Sequence, residues 1–117
     1  LPISRITECV NFADAEAKKF GLRAPMVGHL GDGNFHVLLP YDPEKKETYQ
    51  KIRKFSNILI EKTLELEGTI TGEHGVGLHK KDYLLKEHGD NLPVMKSIKR
   101  TLDPNNIMNP GKIFDLN

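Results

Sequence analysis

Two histidines lie on either side of a glycine-rich turn signal. His29 precedes the sequence Gly31-Asp32-Gly33 and His36 follows it. Asp-Gly is typical of a two-residue type I′ turn, in which both residues adopt positive φ. With Asp32 and Gly33 at the turn, an antiparallel hairpin would set His29 directly opposite His36, with Cβ atoms about 4.5–5.5 Å apart. Such a pair could bind one cation, or it could be two solvated residues on an exposed sheet face.

A further chemical group follows at Glu73-His74. Both residues lie in Gly72-Glu73-His74-Gly75-Val76-Gly77, where the glycines permit tight turns and close approach to a ligand. Two histidines and one carboxylate form the ligand set of a catalytic metal site, which keeps open positions, rather than of a closed structural site. His29, His36 and Glu73 are therefore candidate ligands. The Gly-x-Gly pattern lacks the strand-to-helix context of a dinucleotide-binding loop.

The other chemically active side chains predict ordinary roles. His79 and His88 stand among lysines and glutamates of a charged helical region and are interpreted as surface histidines. Cys9 lies among apolar residues of a helical stretch, where a small buried thiol is expected. The spacing supports no Ser/His/Asp or Cys/His nucleophile.

Composition narrows the class of protein. The chain has 117 residues, with 17 Lys and Arg against 16 Asp and Glu, so it is one domain's worth of globular sequence without the basic field of a nucleic-acid binder. No apolar run approaches the ~18 residues of a membrane-spanning helix. Because the sequence begins at Leu1 rather than Met, we expect a fragment or a processed chain whose targeting region is missing.

The first half of the chain is predicted to form a helix and a hairpin. Apolar residues at spacings of three and four predict an amphipathic helix from Ser4, its N-cap, to Phe20, with Gly21 ending it. Two strands are predicted at roughly 23–30 and 34–39. One face of the hairpin should pack on the helices, and His29, Asn34 and His36 should lie on the other. The predicted core face consists of Met26, Gly28, Leu30, Phe35, Val37 and Leu39.

The second half is predicted to be helical around one ordered loop. A long helix should start at Asp42-Pro43-Glu44 and run to Glu67, with Gly68 ending it, and the loop should follow over 68–77. Helices are then expected from Lys80 to about Glu87 and from Leu92 to Leu102, before turns at 103–105 and at Pro110-Gly111.

This order predicts an α+β fold, part of a ferredoxin-like antiparallel sheet backed by helices, with a C-terminal helical tail. A two-stranded hairpin is marginal by itself, so further strands should come from upstream or from a second copy. The apolar stripes of the two long helices exceed what the hairpin can cover. We therefore expect the isolated chain to self-associate.

Three stretches carry a resemblance to a known family. Gly28-His29-Leu30-Gly31-Asp32-Gly33-Asn34-Phe35-His36, the Gly72–Gly77 loop and Asp103-Pro104-Asn105-Asn106-Ile107-Met108-Asn109-Pro110-Gly111-Lys112 closely resemble the C-terminal domain of FAD-linked oxidases. These are the D-lactate, glycolate and D-2-hydroxyglutarate dehydrogenases. The resemblance covers about Leu1 to Phe114. It implies that residues 1–117 are a C-terminal substrate or cap domain, that the flavin-binding domain is absent from this chain, and that the chain alone is inactive.

The resemblance also implies roles for individual residues. His29, His36 and Glu73 match the ligands of a divalent metal, zinc or manganese, and His74 matches the general base. Asn34 matches an amide that contacts the substrate or a ligand residue. Asn109 is expected to contact FAD or its domain, although a turn residue before Pro110 is an equally good interpretation.

The implied partners are a D-2-hydroxy acid, FAD and an electron acceptor such as cytochrome c, a quinone or electron-transfer flavoprotein. The implied location is mitochondrial or cytoplasmic. Some family members are named actin-interacting protein, so a non-catalytic binding module is the alternative. The His29, His36 and Glu73 set argues against the ether-lipid synthase branch, which has a different histidine arrangement.

Overall fold

The computed structural model describes residues 1–116. These residues form two compact units, Leu1–Thr69 and a second unit that begins at Ile70. Among the described residues there is one sheet, a two-stranded antiparallel pair, and no helix is long and apolar enough to span a membrane. The elements in chain order are α1 Ile3–Lys19, β1 Met26–Val27, β2 His36–Val37, α2 Lys46–Glu65, α3 Lys81–His88 and α4 Leu92–Leu102, with short 3-10 turns at Leu30–Asp32 and Gly89–Asn91.

The core of the first unit lies between α1 and α2. Ala13, Ala17 and Phe55 are buried in one cluster, and the rings of Phe20 and Phe55 meet edge to face with centroids 6.4 Å apart. Small alanines on α1 leave room for the large Phe55 ring of α2. The predicted buried face of α1 is confirmed, and so is burial of Cys9, which has no exposed surface.

The two long helices begin elsewhere than predicted. Pro2 rather than Ser4 precedes the first turn of α1. The helix α2 begins at Lys46, not at Asp42, because Asp42 closes a separate turn ahead of it: the Glu44 N–H donates to Asp42 Oδ1 at 3.0 Å and the Lys45 N–H donates to the Asp42 carbonyl at 3.0 Å. The Asp-Pro-Glu signal therefore marks a turn.

Both long helices end in the same hydrogen-bond pattern. After α1, the Leu22 N–H donates to the Ala17 carbonyl across Gly21, which has φ +64°. After α2, the Gly68 N–H donates to the Thr63 carbonyl across Glu67, which has φ +59°. This is the Schellman motif, which requires one left-handed residue. The predicted stop at Gly68 is thus one residue late.

The hairpin forms, but its predicted register is wrong. Met26 pairs with Val37 and Val27 pairs with His36, so His36 lies opposite Val27 and not opposite His29. Instead of a two-residue turn, the connection contains the 3-10 turn, in which the Asp32 and Asn34 N–H groups both donate to the His29 carbonyl, at 2.8 and 3.2 Å.

The register error is two residues, which preserves the two faces of the sheet. Phe35, Val37 and Leu39 therefore pack against the core as predicted, together with Met26, although each remains partly exposed. Gly28 and Leu30 are the exceptions, since both are exposed; Leu30 has 51% of its surface exposed because the longer connection carries it off the sheet.

The chain from Gly68 onward matches its prediction more closely. The loop over 68–77 contains neither helix nor strand, α3 begins one residue later than predicted, and α4 has the predicted bounds. The Pro110-Gly111 turn is confirmed: the Lys112 N–H donates to the Asn109 carbonyl at 3.3 Å, and Gly111 has φ +71°. The α+β class and the C-terminal helix are confirmed, whereas membership of a larger ferredoxin-like sheet stays a prediction.

Candidate functional site

The two candidate histidines of the first unit occupy different kinds of structure. His36 is the first residue of β2 and is half-buried. His29 is exposed and lies just before the 3-10 turn. The hairpin therefore does not hold their imidazoles opposite each other through strand pairing. It places them at the two ends of one connecting loop.

That loop has a closely packed backbone. Asn34 is half-buried and joins the two ends of the loop through its N–H, which donates to the His29 carbonyl. Gly28 lies against Phe35 so closely that a Cβ on Gly28 would stand 2.5 Å from Phe35 Cα. A side chain at position 28 would therefore disturb the loop between His29 and His36.

In the second unit, Glu73 and His74 project from the glycine-rich loop. Their side chains are 52% and 69% exposed, and His74 Nε2 lies 3.8 Å from Glu73 Oε1. Gly72 and Gly75 have φ of +53° and +74°, values that residues with a Cβ rarely adopt. The loop thus presents a carboxylate and an imidazole side by side, groups that can bind a cation or exchange a proton.

The C-terminal tail is organised by Asp103, which the sequence indicated only as a turn residue. Asp103 is 5% exposed, and its carboxylate accepts from the Ile107 and Met108 N–H groups at 3.0 and 2.9 Å as well as from Lys99 Nζ. The hydrogen bond from Lys99 is the main reason that the pKa of Asp103 lies below its usual value. The sequence signal for this role was an aspartate that directly follows a predicted helix and precedes one proline and two asparagines.

Asn109 is exposed and left-handed, with φ +48°. Its Oδ1 accepts a hydrogen bond from Lys112 Nζ at 2.8 Å, and its carbonyl closes the Pro110-Gly111 turn. The turn interpretation of Asn109 is thereby confirmed. Its contact with FAD stays a prediction.

Comparison with known proteins agrees with these motifs. Residues 1–113 match the family model of FAD linked oxidases, C-terminal domain. The chain is 43% identical over 117 residues to D-lactate dehydrogenase [cytochrome], mitochondrial, of Kluyveromyces lactis, covering 99% of this chain and 20% of that protein. It is 39% identical over 115 residues to glycolate oxidase subunit GlcD of Bacillus subtilis, covering 97% and 24%.

A third relative is D-2-hydroxyglutarate dehydrogenase of Stutzerimonas stutzeri, 42% identical over 90 residues that cover 74% of this chain and 19% of that protein. The chain thus spans about a fifth to a quarter of the length of these relatives. The family match covers nearly the whole chain and contains all the candidate site residues. The chain therefore belongs to the family of FAD linked oxidases, C-terminal domain.

Proposed function

We propose that this chain is the substrate- and metal-binding part of a flavin-dependent dehydrogenase that oxidises a D-2-hydroxy acid to the 2-oxo acid. The observation that carries the proposal is the exposed Glu73-His74 pair on a glycine-rich loop, in a chain that matches the oxidase family over residues 1–113. The relatives named above are called D-lactate dehydrogenase, glycolate oxidase and D-2-hydroxyglutarate dehydrogenase. None of those names supports the actin-interacting alternative.

The proposed metal ligands are His29, His36 and Glu73. Two imidazoles and one carboxylate suit zinc or manganese, and such a set leaves positions for a substrate's hydroxyl and carboxylate oxygens. His29 and Glu73 are exposed and His36 is half-buried, so all three side chains have accessible surface. A cation there would act as a Lewis acid that lowers the pKa of the substrate hydroxyl.

His74 is the proposed general base. A neutral imidazole can accept the hydroxyl proton of the substrate, and His74 Nε2 lies 3.8 Å from Glu73 Oε1, beside the proposed metal ligand. FAD, bound mainly outside this chain, would accept the C2 hydrogen as hydride. Asn34 is proposed to contact the substrate and Asn109 to contact FAD or its domain.

The proposed partners follow from the names of the relatives. A mitochondrial location is proposed because the Kluyveromyces lactis relative is named a mitochondrial D-lactate dehydrogenase. The same name includes cytochrome, which supports a cytochrome such as cytochrome c as the electron acceptor, with a quinone or electron-transfer flavoprotein as the alternatives.

Anaerobic stopped-flow spectroscopy of the full-length flavoenzyme that carries this chain tests the proposal. D-lactate, glycolate and D-2-hydroxyglutarate are each mixed with the enzyme, and bleaching of the flavin absorbance identifies the substrate. His74→Ala should slow flavin reduction by about 10²–10⁴-fold, the usual contribution of a general base. His29→Ala and His36→Ala should abolish reduction together with Zn²⁺ or Mn²⁺ binding.

His79→Ala is the matched control, because His79 is an exposed histidine outside the proposed site. It should reduce flavin at the wild-type rate. Wild-type rates in the His29, His36 and His74 variants, with no effect of a strong chelator, would disprove the proposed function.

A further inference from the structure

The peptide groups of Ile70 are held by two side chains of opposite charge. The Ile70 N–H donates to Glu87 Oε2 at 3.1 Å, and Lys80 Nζ donates to the Ile70 carbonyl at 2.9 Å. Ile70 is only 7% exposed, so its polar main-chain groups need partners within the protein. Such partners usually come from a strand or helix, whereas here both come from side chains.

One face of α3 supplies both side chains. Lys80 is the residue that precedes α3, and Glu87 lies in its last turn. Together with Leu84 they occupy positions i, i+4 and i+7, which lie on the same side of a helix. Leu84 is 5% exposed, so this face carries a buried apolar residue between an ammonium and a carboxylate.

The charges on this face have lost part of their hydration. Burial lowers the pKa of Lys80, and the Glu87 side chain is only 11% exposed. The second Glu87 oxygen, Oε1, lies 3.2 Å from His88 Nε2. Because desolvation offsets much of what buried charged groups contribute to stability, these hydrogen bonds are weak evidence for added free energy of folding.

The backbone position that Lys80 and Glu87 hold, at Ile70, lies just before the Glu73-His74 loop. Ile70 lies two residues before Gly72, and inside the loop the His74 N–H donates to the Thr71 carbonyl at 3.3 Å. Gly72 and the following glycines leave the loop backbone with wide conformational freedom. Only Thr71 and Gly72 separate Ile70 from Glu73, so the hydrogen bonds to Ile70 hold the backbone at the point where the Glu73-His74 loop begins.

We propose that Lys80 and Glu87 are positioning residues for Glu73 and His74, and that they act through the two peptide groups of Ile70. This inference rests on the proposed function of the loop. Loss of contacts that orient metal ligands typically changes metal affinity about 10–100-fold, and small displacements of catalytic groups cost comparable factors in rate.

The test compares disruptive and conservative variants of the full-length flavoenzyme. Lys80→Met removes the donor and Glu87→Leu removes the acceptor, whereas Lys80→Arg and Glu87→Gln retain a donor and an acceptor. Lys86→Met, at an exposed lysine of the same helix, is the matched control. Three quantities are measured: the rate of flavin reduction at a saturating concentration of the fastest of the three acids, the affinity for Zn²⁺, and hydrogen exchange of the peptide covering residues 70–77.

Lys80→Met and Glu87→Leu should each slow flavin reduction about 10–100-fold, weaken Zn²⁺ binding about tenfold and speed exchange in residues 70–77. The two conservative variants and Lys86→Met should behave as the wild type. Unchanged rate, affinity and exchange in the two disruptive variants would overturn the proposal. So would an Ile70 amide that exchanges in the wild-type enzyme as fast as that of Gly75, a measurement that needs no variant to fold.

The two hypotheses fail in different ways. Glu73→Gln and His74→Ala at wild-type rates would disprove the proposed function itself. If those variants are slow while Lys80→Met and Glu87→Leu are not, only the positioning role is lost.

Discussion

Each unit of the chain is stabilised internally by a different kind of interaction. In the first unit, apolar side chains of α1 and α2 form a continuous core around Phe55. In the second unit, α4 buries none of its side chains, and the buried groups include a carboxylate, that of Asp103. The first unit is stabilised mainly by removing apolar surface from water, whereas the second combines buried Ile70 and Leu84 with side chains that bond to the main chain of loops.

This difference in stabilising interactions matches the kind of backbone, regular or irregular, that each unit contains. A strand or helix can be held by its own main-chain hydrogen bonds, whereas an irregular loop needs partners from elsewhere. The second unit contains the Glu73-His74 loop and the 103–116 tail, and Lys80, Glu87 and Asp103 supply such partners. Its apolar Val94, Ile98 and Leu102 stay more than half exposed, which agrees with the self-association expected of the isolated chain, itself still a prediction.

The largest effect is expected in the apolar core. Phe55→Ala should lower the free energy of unfolding of the first unit by about 3–5 kcal/mol, because it removes a fully buried ring and leaves a cavity. Native-state hydrogen exchange of the α1 and α2 amides measures this value. Lys54→Ala, at the exposed preceding residue, should change it by about 0.5 kcal/mol or less. An equal loss in both variants would contradict the apolar core.

A smaller and more local effect is expected at Asp103. Asp103→Ala removes the acceptor for the Ile107 and Met108 N–H groups, so the tail should exchange and be cleaved by proteases faster while α1 and α2 remain protected. Asp82→Ala, at an exposed aspartate of α3, is the control. Loss of protection in the first unit as well would show that the two units do not differ as described.

The same carboxylate should make the tail sensitive to acid. Because the hydrogen bond from Lys99 lowers the pKa of Asp103 below that of an ordinary aspartate, the stabilisation is fully present above the ordinary pKa and is lost as pH falls through the lower folded-state pKa. Tail protection measured from about pH 6 to pH 2 should therefore decline in the wild type. In Asp103→Asn it should start lower and vary less with pH.

The smallest effects are expected at the C-terminal ends of α1 and α2. Both ends form a Schellman motif, with Gly21 at the left-handed position after α1 and Glu67 at that position after α2. Gly21→Ala should destabilise the first unit by about 1 kcal/mol, since no atom lies near the added Cβ and only backbone strain opposes it. Glu67→Gly should stabilise the unit by about 0.5–1 kcal/mol by relieving that strain. Chemical denaturation measures both, and the same sign in both variants would refute the strain argument.

The sequence predicted what local periodicity determines and missed what tertiary contacts determine. The bounds of α4 and the buried face of α1 follow from apolar spacing alone. The hairpin register does not, because Asp32-Gly33 suits a two-residue turn as well as the 3-10 turn that forms. At position 68, a Cβ would stand 2.7 Å from Leu1 Cδ2, a long-range contact that no local pattern reveals.

The sequence indicated the residue types of the candidate site but not the side chains that hold the backbone of its loop. His29, His36, Glu73 and His74 stand out by chemistry and by nearby glycines. Lys80 and Glu87 do not, since lysine and glutamate on a charged helix are usually solvated. Their burial and their hydrogen bonds to Ile70 distinguish Lys80 and Glu87 from the charged residues around them.

The pairing of Val27 with His36 has a consequence for changing the length of the connection between the strands. Side chains alternate between the faces of a strand, so a register shift by an even number of residues keeps His36 on its face and Val37 on the core, whereas an odd shift exchanges them. Insertions that move the register by two should therefore be tolerated, and single-residue shifts should bury the imidazole. Whether a register shift is even or odd, more than the length of the connection, therefore limits how this loop can be redesigned.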